Sequence, residues 1–181
     1  LTGHTEAVLF VTHAMGGGIE KHIQDLIELA GHALRIEILR PFGSNGLSLE
    51  DSSGQRIVWK QSDRNKTINL LRDRHYQRMH LHHWHGHLPE ILQLHRELLV
   101  PLDITVHDFG LYCPRNNLSQ DDVNYCGEPE LEKCEQCIQL RPNPWQWRVE
   151  VWREEMYALL RQAERVIAPS QAVSSRMQKH F

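Results

Sequence analysis

The chain has 181 residues, with 20 Lys+Arg against 23 Asp+Glu (formal net charge −3), 40% hydrophobic and 24% charged residues. This is a globular composition with room for a core, which excludes collagen-like and disordered chains, and its balance speaks against a dedicated nucleic-acid binder. The longest apolar run, Ala7-Val8-Leu9-Phe10-Val11, falls far short of the roughly 20 residues that span a bilayer, and no signal peptide is expected.

Residues 6–12 form a short β-rich apolar run that stops at Gly16-Gly17-Gly18, which predicts a buried strand. Ile19, Ile23, Leu26, Ile27 and Ala30 then recur at helical spacing, and a second apolar run over 33–39 ends at Pro41. Strand, glycine turn, helix and strand make one βαβ unit. Residues 41–54, rich in Gly and Ser, read as a loop, 56–60 as a short extra strand, and 66–74 as a helix burying Ile68, Leu70 and Leu71. Over 78–83, Met79, Leu81 and His83 alternate with Arg78, His80 and His82, the pattern of a strand. Ile91, Leu92, His95, Leu98 and Leu99 give a helical stripe that Pro101 ends.

A further short strand, 102–106, runs into His107-Asp108. Residues 109–144 carry few apolar side chains and read as a long loop organised by something other than a core. Val149, Trp152, Met156, Leu159, Leu160 and Ala163 mark an amphipathic helix, with Trp152 as a packing residue. Residues 165–168 read as a strand, and Ser170 as the N-cap of a last helix to Phe181. Strands alternating with helices predict an α/β fold: a mainly parallel sheet with helices on both faces, plus a cysteine-containing loop insertion. Ligands of such sheets sit at the carboxyl ends of the strands, here 12–18, 84–87, 107–115 and Pro169-Ser170.

Three features there carry chemistry. Gly16-Gly17-Gly18, between strand and helix, lets backbone N–H groups approach an anion at a helix N-terminus. It matches neither G-x-G-x-x-G nor a P-loop, so dinucleotide or ATP binding is not expected and no organic cofactor is; a tight turn without a ligand is the plain alternative. His107, at the end of a buried strand, has a side chain that titrates near neutral pH. The four cysteines, Cys113, Cys126, Cys134 and Cys137, all fall in the core-poor stretch, the last two as C-x2-C. That spacing presents two thiolates to a tetrahedral ion, and Asp121, Asp122, Glu128, Glu130, Glu132 and Glu135 add attraction for a cation. Structural zinc on the four thiols is the expectation, with two disulfides or an iron–sulfur cluster as rivals. Five of the 13 histidines lie within 80–87. Lacking H-E-x-x-H, they read as strand or cleft residues, which leaves a histidine-based metallohydrolase as the weakest reading.

Taken in order, Thr12-His13-Ala14-Met15-Gly16-Gly17-Gly18-Ile19-Glu20, residues 80–86, Ile104-Thr105-Val106-His107-Asp108 and Val166-Ile167-Ala168-Pro169-Ser170 resemble the N-terminal, acceptor-side domain of family 4 glycosyltransferases. Some members of that group also carry a Cys-Pro followed by spaced cysteines, similar to Cys113-Pro114. The resemblance implies a single Rossmann-like domain over 1–181, half of a two-domain GT-B enzyme whose C-terminal donor-binding domain is absent. It implies a retaining transfer from a nucleotide-sugar to a glycan or polysaccharide acceptor, in polysaccharide biosynthesis, with the isolated half inactive. Gly16, Gly17, Gly18 and Glu20 would lie against the donor phosphates and acceptor, His107 would approach the donor sugar as the catalytic histidine, and Asp108 would support the loop. A cytoplasmic location is expected, extending to peripheral association with the inner face of the membrane. The rival of a different class is a zinc-organised interaction module on the same scaffold, without chemistry of its own.

Overall fold

In the structure, a computed structural model describing residues 6–120 and 122–181, the chain divides into two compact units, Leu1–Ile104 and Thr105–Phe181. The first contains β1 (Glu6–Val11), α1 (Gly18–Ala30), β2 (Leu34–Phe42), β3 (Gly46–Glu50), β4 (Arg56–Lys60), α2 (Arg64–Arg72), β5 (Arg78–Leu81), a 3-10 turn (Pro89–Gln93), α3 (Leu94–Leu98) and β6 (Leu102–Thr105). Its strands lie in the order β4-β3-β2-β1-β5-β6. The pairs β1–β2, β1–β5 and β5–β6 are parallel, whereas β2–β3 and β3–β4 are antiparallel. The architecture is α/β and Rossmann-like, with a mainly parallel sheet that ends on one side in a meander.

β1 is the centre because both of its faces are apolar. Val8 and Phe10 face α1 and join Ile23, Ile36 and Ile38 in one buried cluster, with Ile19, Leu26, Ile27, Ala30 and Leu34 packed around it. Ala7, Leu9 and Val11 are buried on the opposite face. The helical repeat of α1 therefore meets the two-residue repeat of β1 and β2, which is why the expected βαβ unit forms.

Three expectations change. Residues 41–54 are not a loop: β2 runs on through Pro41, and a turn at Gly43 (φ +60°) brings β3 back antiparallel, with Leu39 opposite Leu49 and Pro41 opposite Leu47. The Gly and Ser content hid Leu47 and Leu49, both buried. β5 forms as expected, but its histidines are not strand-surface residues: His80, His82 and His83 are buried along with Met79 and Leu81, since a strand flanked on both sides by parallel neighbours has no solvent face. The 91–99 stripe is a 3-10 turn followed by a short helix, in which Leu94 is buried while Leu99, at φ +58°, is 86% exposed.

One buried charge ties this unit together. Glu37 on β2 is 2% exposed and accepts from Arg35 at 2.8 Å, Arg74 at 3.0 Å and the Tyr76 hydroxyl. Burial, then the hydrogen bond to Glu37 and its charge, pushes the Tyr76 phenol well above its usual value, so the hydroxyl stays a donor. This arrangement binds β2 to the segment that leads into β5.

The second unit contains α4 (Leu131–Leu140), α5 (Val149–Gln162), β7 (Ala163–Ile167) and α6 (Gln171–His180). Residues 109–144 are thus not all loop, because α4 carries Cys134 and Cys137. Val149, Trp152, Met156 and Leu159 are the buried stripe of α5, and the Trp152 indole donates to the Gly110 carbonyl at 2.7 Å. Ser170 caps α6 as expected, its hydroxyl accepting from Val173 N–H at 3.3 Å. β7 lies beside the chain leaving β6, since Val106 N–H donates to Ile167 at 2.8 Å. No helix among the described residues is long and apolar enough to cross a membrane.

Replacing Glu37 by Ala should strand Tyr76 and two guanidiniums. We expect a loss of about 2–3 kcal/mol in urea unfolding, below the roughly 3–5 of a fully buried pair because both arginines reach solvent. A loss under about 0.5 kcal/mol would contradict this account.

Candidate functional site

Because β1, β2 and β5 are parallel, their carboxyl ends share one edge of the sheet. The segments leaving β1 and β5 there are 12–17 and 82–88. Gly16 and Gly17 both take positive φ, 71° and 83°, and Gly17 is the N-cap of α1, with no side chain capping the helix. The first N–H groups of any helix lack intrahelical partners, so α1 offers open donors and the positive end of its dipole. A Cβ built on Gly16, Gly17 or Gly18 meets nothing within 4 Å. Positive φ accounts for the first two glycines, but neither crowding nor positive φ accounts for Gly18.

Arg40, near the end of β2, fixes this loop. Its guanidinium donates to both carboxylate oxygens of Glu20, at 2.6 and 3.0 Å, and to the His13 carbonyl at 3.1 Å. Gln24 adds a hydrogen bond to Glu20 at 2.9 Å. Burial works to raise the Glu20 pKa, but the Arg40 and Gln24 hydrogen bonds and the Arg40 charge outweigh it and hold it below the usual value. The expected site residue Glu20 is therefore a neutralised anchor of the loop, lying in the first turn of α1.

The histidines form a packed group at the same edge. His80 and His82 stack with ring centroids 4.1 Å apart, and His82 also meets Phe10 (4.7 Å) and His22 (5.7 Å). His13 and His83 are 5.0 Å apart, and the Met15 and His85 N–H groups donate to their Nδ1 atoms at 3.1 and 3.0 Å. Burial, followed by the His83 charge, lowers the pKa of His13. His87 is buried and its Nε2 bonds the Thr12 carbonyl at 2.8 Å. Burial is the main cause that pushes His87 down to about 4, against the effect of that bond and with help from His83, His13 and His85. Nε2 of the neutral ring is thus the donor.

His107 and Asp108 lie in the second unit, directly after β6. The Asp108 carboxylate accepts from Gly110 N–H at 2.8 Å, and the Phe109 carbonyl accepts from Tyr112 and Cys113 N–H at 3.0 and 2.8 Å. Asp108 thus holds a tight turn, an Asx arrangement. The four cysteines carry free thiols and line one cavity of about 480 Å³ together with Pro114, Arg153 and the body of α4. Burial pushes Cys113 up to about 11, with further contributions from the other three thiols, and also raises Cys134. Sequence reasoning passed over Arg40 and the His13–His83 pair. The signal for Arg40 was a lone cation in the apolar stretch Ile38-Leu39-Arg40-Pro41, where a central strand ends.

A glycine turn that opens a helix at the carboxyl edge of a Rossmann-like sheet stands where such folds place anionic ligands. The chain belongs to Glycosyltransferase Family 4, which it matches over residues 16–181. We find no significant match among curated proteins or among solved structures.

Because His87 has a lower pKa folded than unfolded, the unfolded chain binds more protons as pH falls from about 6.5 to about 4. Stability contributed by neutral His87 is present above about 6.5 and lost by about 4. The loss is about 3 kcal/mol for a drop of about 2.5 pKa units. His87→Gln, which keeps an N–H donor for Thr12, should flatten the fall in melting temperature between pH 7 and pH 4. An unchanged slope would rule His87 out as its source.

Proposed function

We propose that this glycosyltransferase-family chain forms the acceptor-side half of a retaining enzyme that moves a sugar from a nucleotide-sugar onto a glycan or polysaccharide hydroxyl. In that transfer the acceptor oxygen bonds to the anomeric carbon, the sugar–phosphate bond breaks, and the nucleoside diphosphate leaves with the bonding electron pair, a phosphate oxygen taking up the acceptor's proton. Preorganised donors at the developing diphosphate, and close placement of the hydroxyl, are what such a reaction requires.

The observation that carries this reading is the glycine turn. Gly16, Gly17 and Gly18 leave open space over uncapped N–H groups in a chain that belongs to this family. In our reading the amides at Gly17 and Gly18 face the diphosphate or the acceptor, and the Arg40–Glu20 pair keeps the turn in its open shape. His13, kept neutral, serves as a hydrogen-bond partner for sugar hydroxyls. His107 faces the donor sugar, and Asp108 keeps its turn and takes no proton. The nucleotide of the donor belongs to a second Rossmann-like domain, and the enzyme works in the cytoplasm on an acceptor presented at the inner membrane face.

Gly18→Ala separates a ligand-bearing turn from a merely structural one. Ala has less backbone entropy to lose on folding than Gly, and a Cβ at position 18, the first residue of α1, meets no neighbour, so the melting temperature should hold or rise. In the chain extended by its natural downstream sequence, kcat/KM with a panel of UDP-, GDP- and dTDP-sugars should fall at least tenfold. Unchanged turnover would contradict the assignment, as would sugar transfer by residues 1–181 alone.

A further inference from the structure

We propose that Cys113, Cys126, Cys134 and Cys137 bind one zinc ion, which fixes the segment between β6 and α5. The four residues come from three places in the second unit and line the same cavity. Cys134 and Cys137, at i and i+3 on α4, share a helix face. Cys113 closes the turn after Asp108, its N–H donating to Phe109. Cys126 is set by its own N–H bond to the Leu118 carbonyl at 2.8 Å, next to the Ser119–Tyr125 bridge.

Two cations are aimed at this cluster. Arg153 Nη2 lies 3.4 Å from Cys134 Sγ, and Arg115 Nη1 lies 3.7 Å from Cys137 Sγ. Both are held from behind: Arg153 by the Tyr112 carbonyl at 3.3 Å and by the Tyr112 ring, 3.9 Å from its guanidinium carbon, and Arg115 by the Gln120 carbonyl at 2.8 Å and the Asp122 carboxylate. A guanidinium gains little from a neutral thiol and much from a thiolate. Zinc with four thiolates carries a formal charge of about −2, which the two arginines offset. This supporting shell of donors on the sulfurs is what a metal site needs beyond its ligands.

The thiols stand around the cavity wall, and no three of these described sulfurs lie within 4.8 Å of one another. Zn–S bonds of about 2.3 Å place tetrahedral sulfurs about 3.8 Å apart, so binding draws 113–126 toward α4. Among the described residues, the chain between β6 and α4 carries no helix or strand beyond the Ser119–Tyr125 bridge and passes through Gly127 at φ +74°, so it can follow. Binding then orders a segment with little apolar core.

The test is metal analysis of the full chain purified under reductant and supplied with zinc. One zinc per chain is expected, and cobalt in its place should give the intense near-ultraviolet absorption of thiolate-to-metal charge transfer. Cys134→Ser and Cys137→Ser should each weaken zinc binding at least 100-fold. Because those variants can fail to fold, Arg153→Gln provides a second arm. We expect a loss of about tenfold in zinc affinity with far-UV circular dichroism unchanged, and recovery in Arg153→Lys. On the unmodified chain, thiol alkylation should slow at least tenfold with zinc and recover with chelator. No bound metal, iron with inorganic sulfide, or two disulfides in the reductant-treated protein would each overturn the proposal.

Discussion

The glycine turn of the first unit is held by one cation. Arg40 leaves the end of β2 and grips the first turn of α1 through Glu20 and the β1 loop through the His13 carbonyl. Three separate pieces of chain are thereby held in one geometry by planar, bidentate hydrogen bonds, for which an ammonium is a poor replacement. The glycines can then remain open without a side chain to prop them. Glu20, which would otherwise leave an unpaired negative charge in the first turn of α1, is paired with Arg40. What remains at the helix N-terminus is the field of the amides themselves.

The second unit is built on a different principle. Beside the buried stripe of α5 and the buried Leu111 and Leu118, its connecting segment is held by ionic and aromatic contacts. The Glu128 side chain is covered and accepts from Tyr125 and His180, with Arg176 at 3.5 Å; Tyr112 stacks on His180 at 3.6 Å. These contacts fasten α6 to the cysteine segment. Where apolar area is scarce, such directional interactions set the shape, and thiol chemistry is a natural addition to them. The two units thus illustrate separate ways of fixing a loop that carries chemistry.

The sheet's parallel core and the glycine turn were legible because strong local patterns agree: apolar runs of strand length, glycines at the break, and a helical repeat beginning at Ile19. The β3 strand was hidden because Leu47 and Leu49 alternate with Ser48 in a stretch whose composition suggests a loop. The two-sided burial of β5 was hidden because histidine counts as polar, whereas here His80, His82 and His83 pack as rings against Phe10, Trp84 and each other. Helix α4 escaped notice because its few apolar residues, among them Ile138, give a weak repeat. Arg40 escaped for a more basic reason: its partners lie 20 and 27 residues away, and no local pattern encodes a contact at that distance.

The unequal spacing of the strand partners has a consequence for how the chain assembles. The β2–β3–β4 meander is joined by short turns, whereas Val8 pairs with Arg78, a separation of 70 residues that is also the separation of the neighbouring Ala7–Gln77 bond. Closing the longer loop costs more chain entropy, so the meander can form from neighbours while β5 must arrive from far along the sequence. The contact of His13 with His83 spans the same gap. The rim where the segments leaving β1 and β5 meet is therefore drawn from distant parts of the chain, and a chain that has folded only its meander has formed none of it.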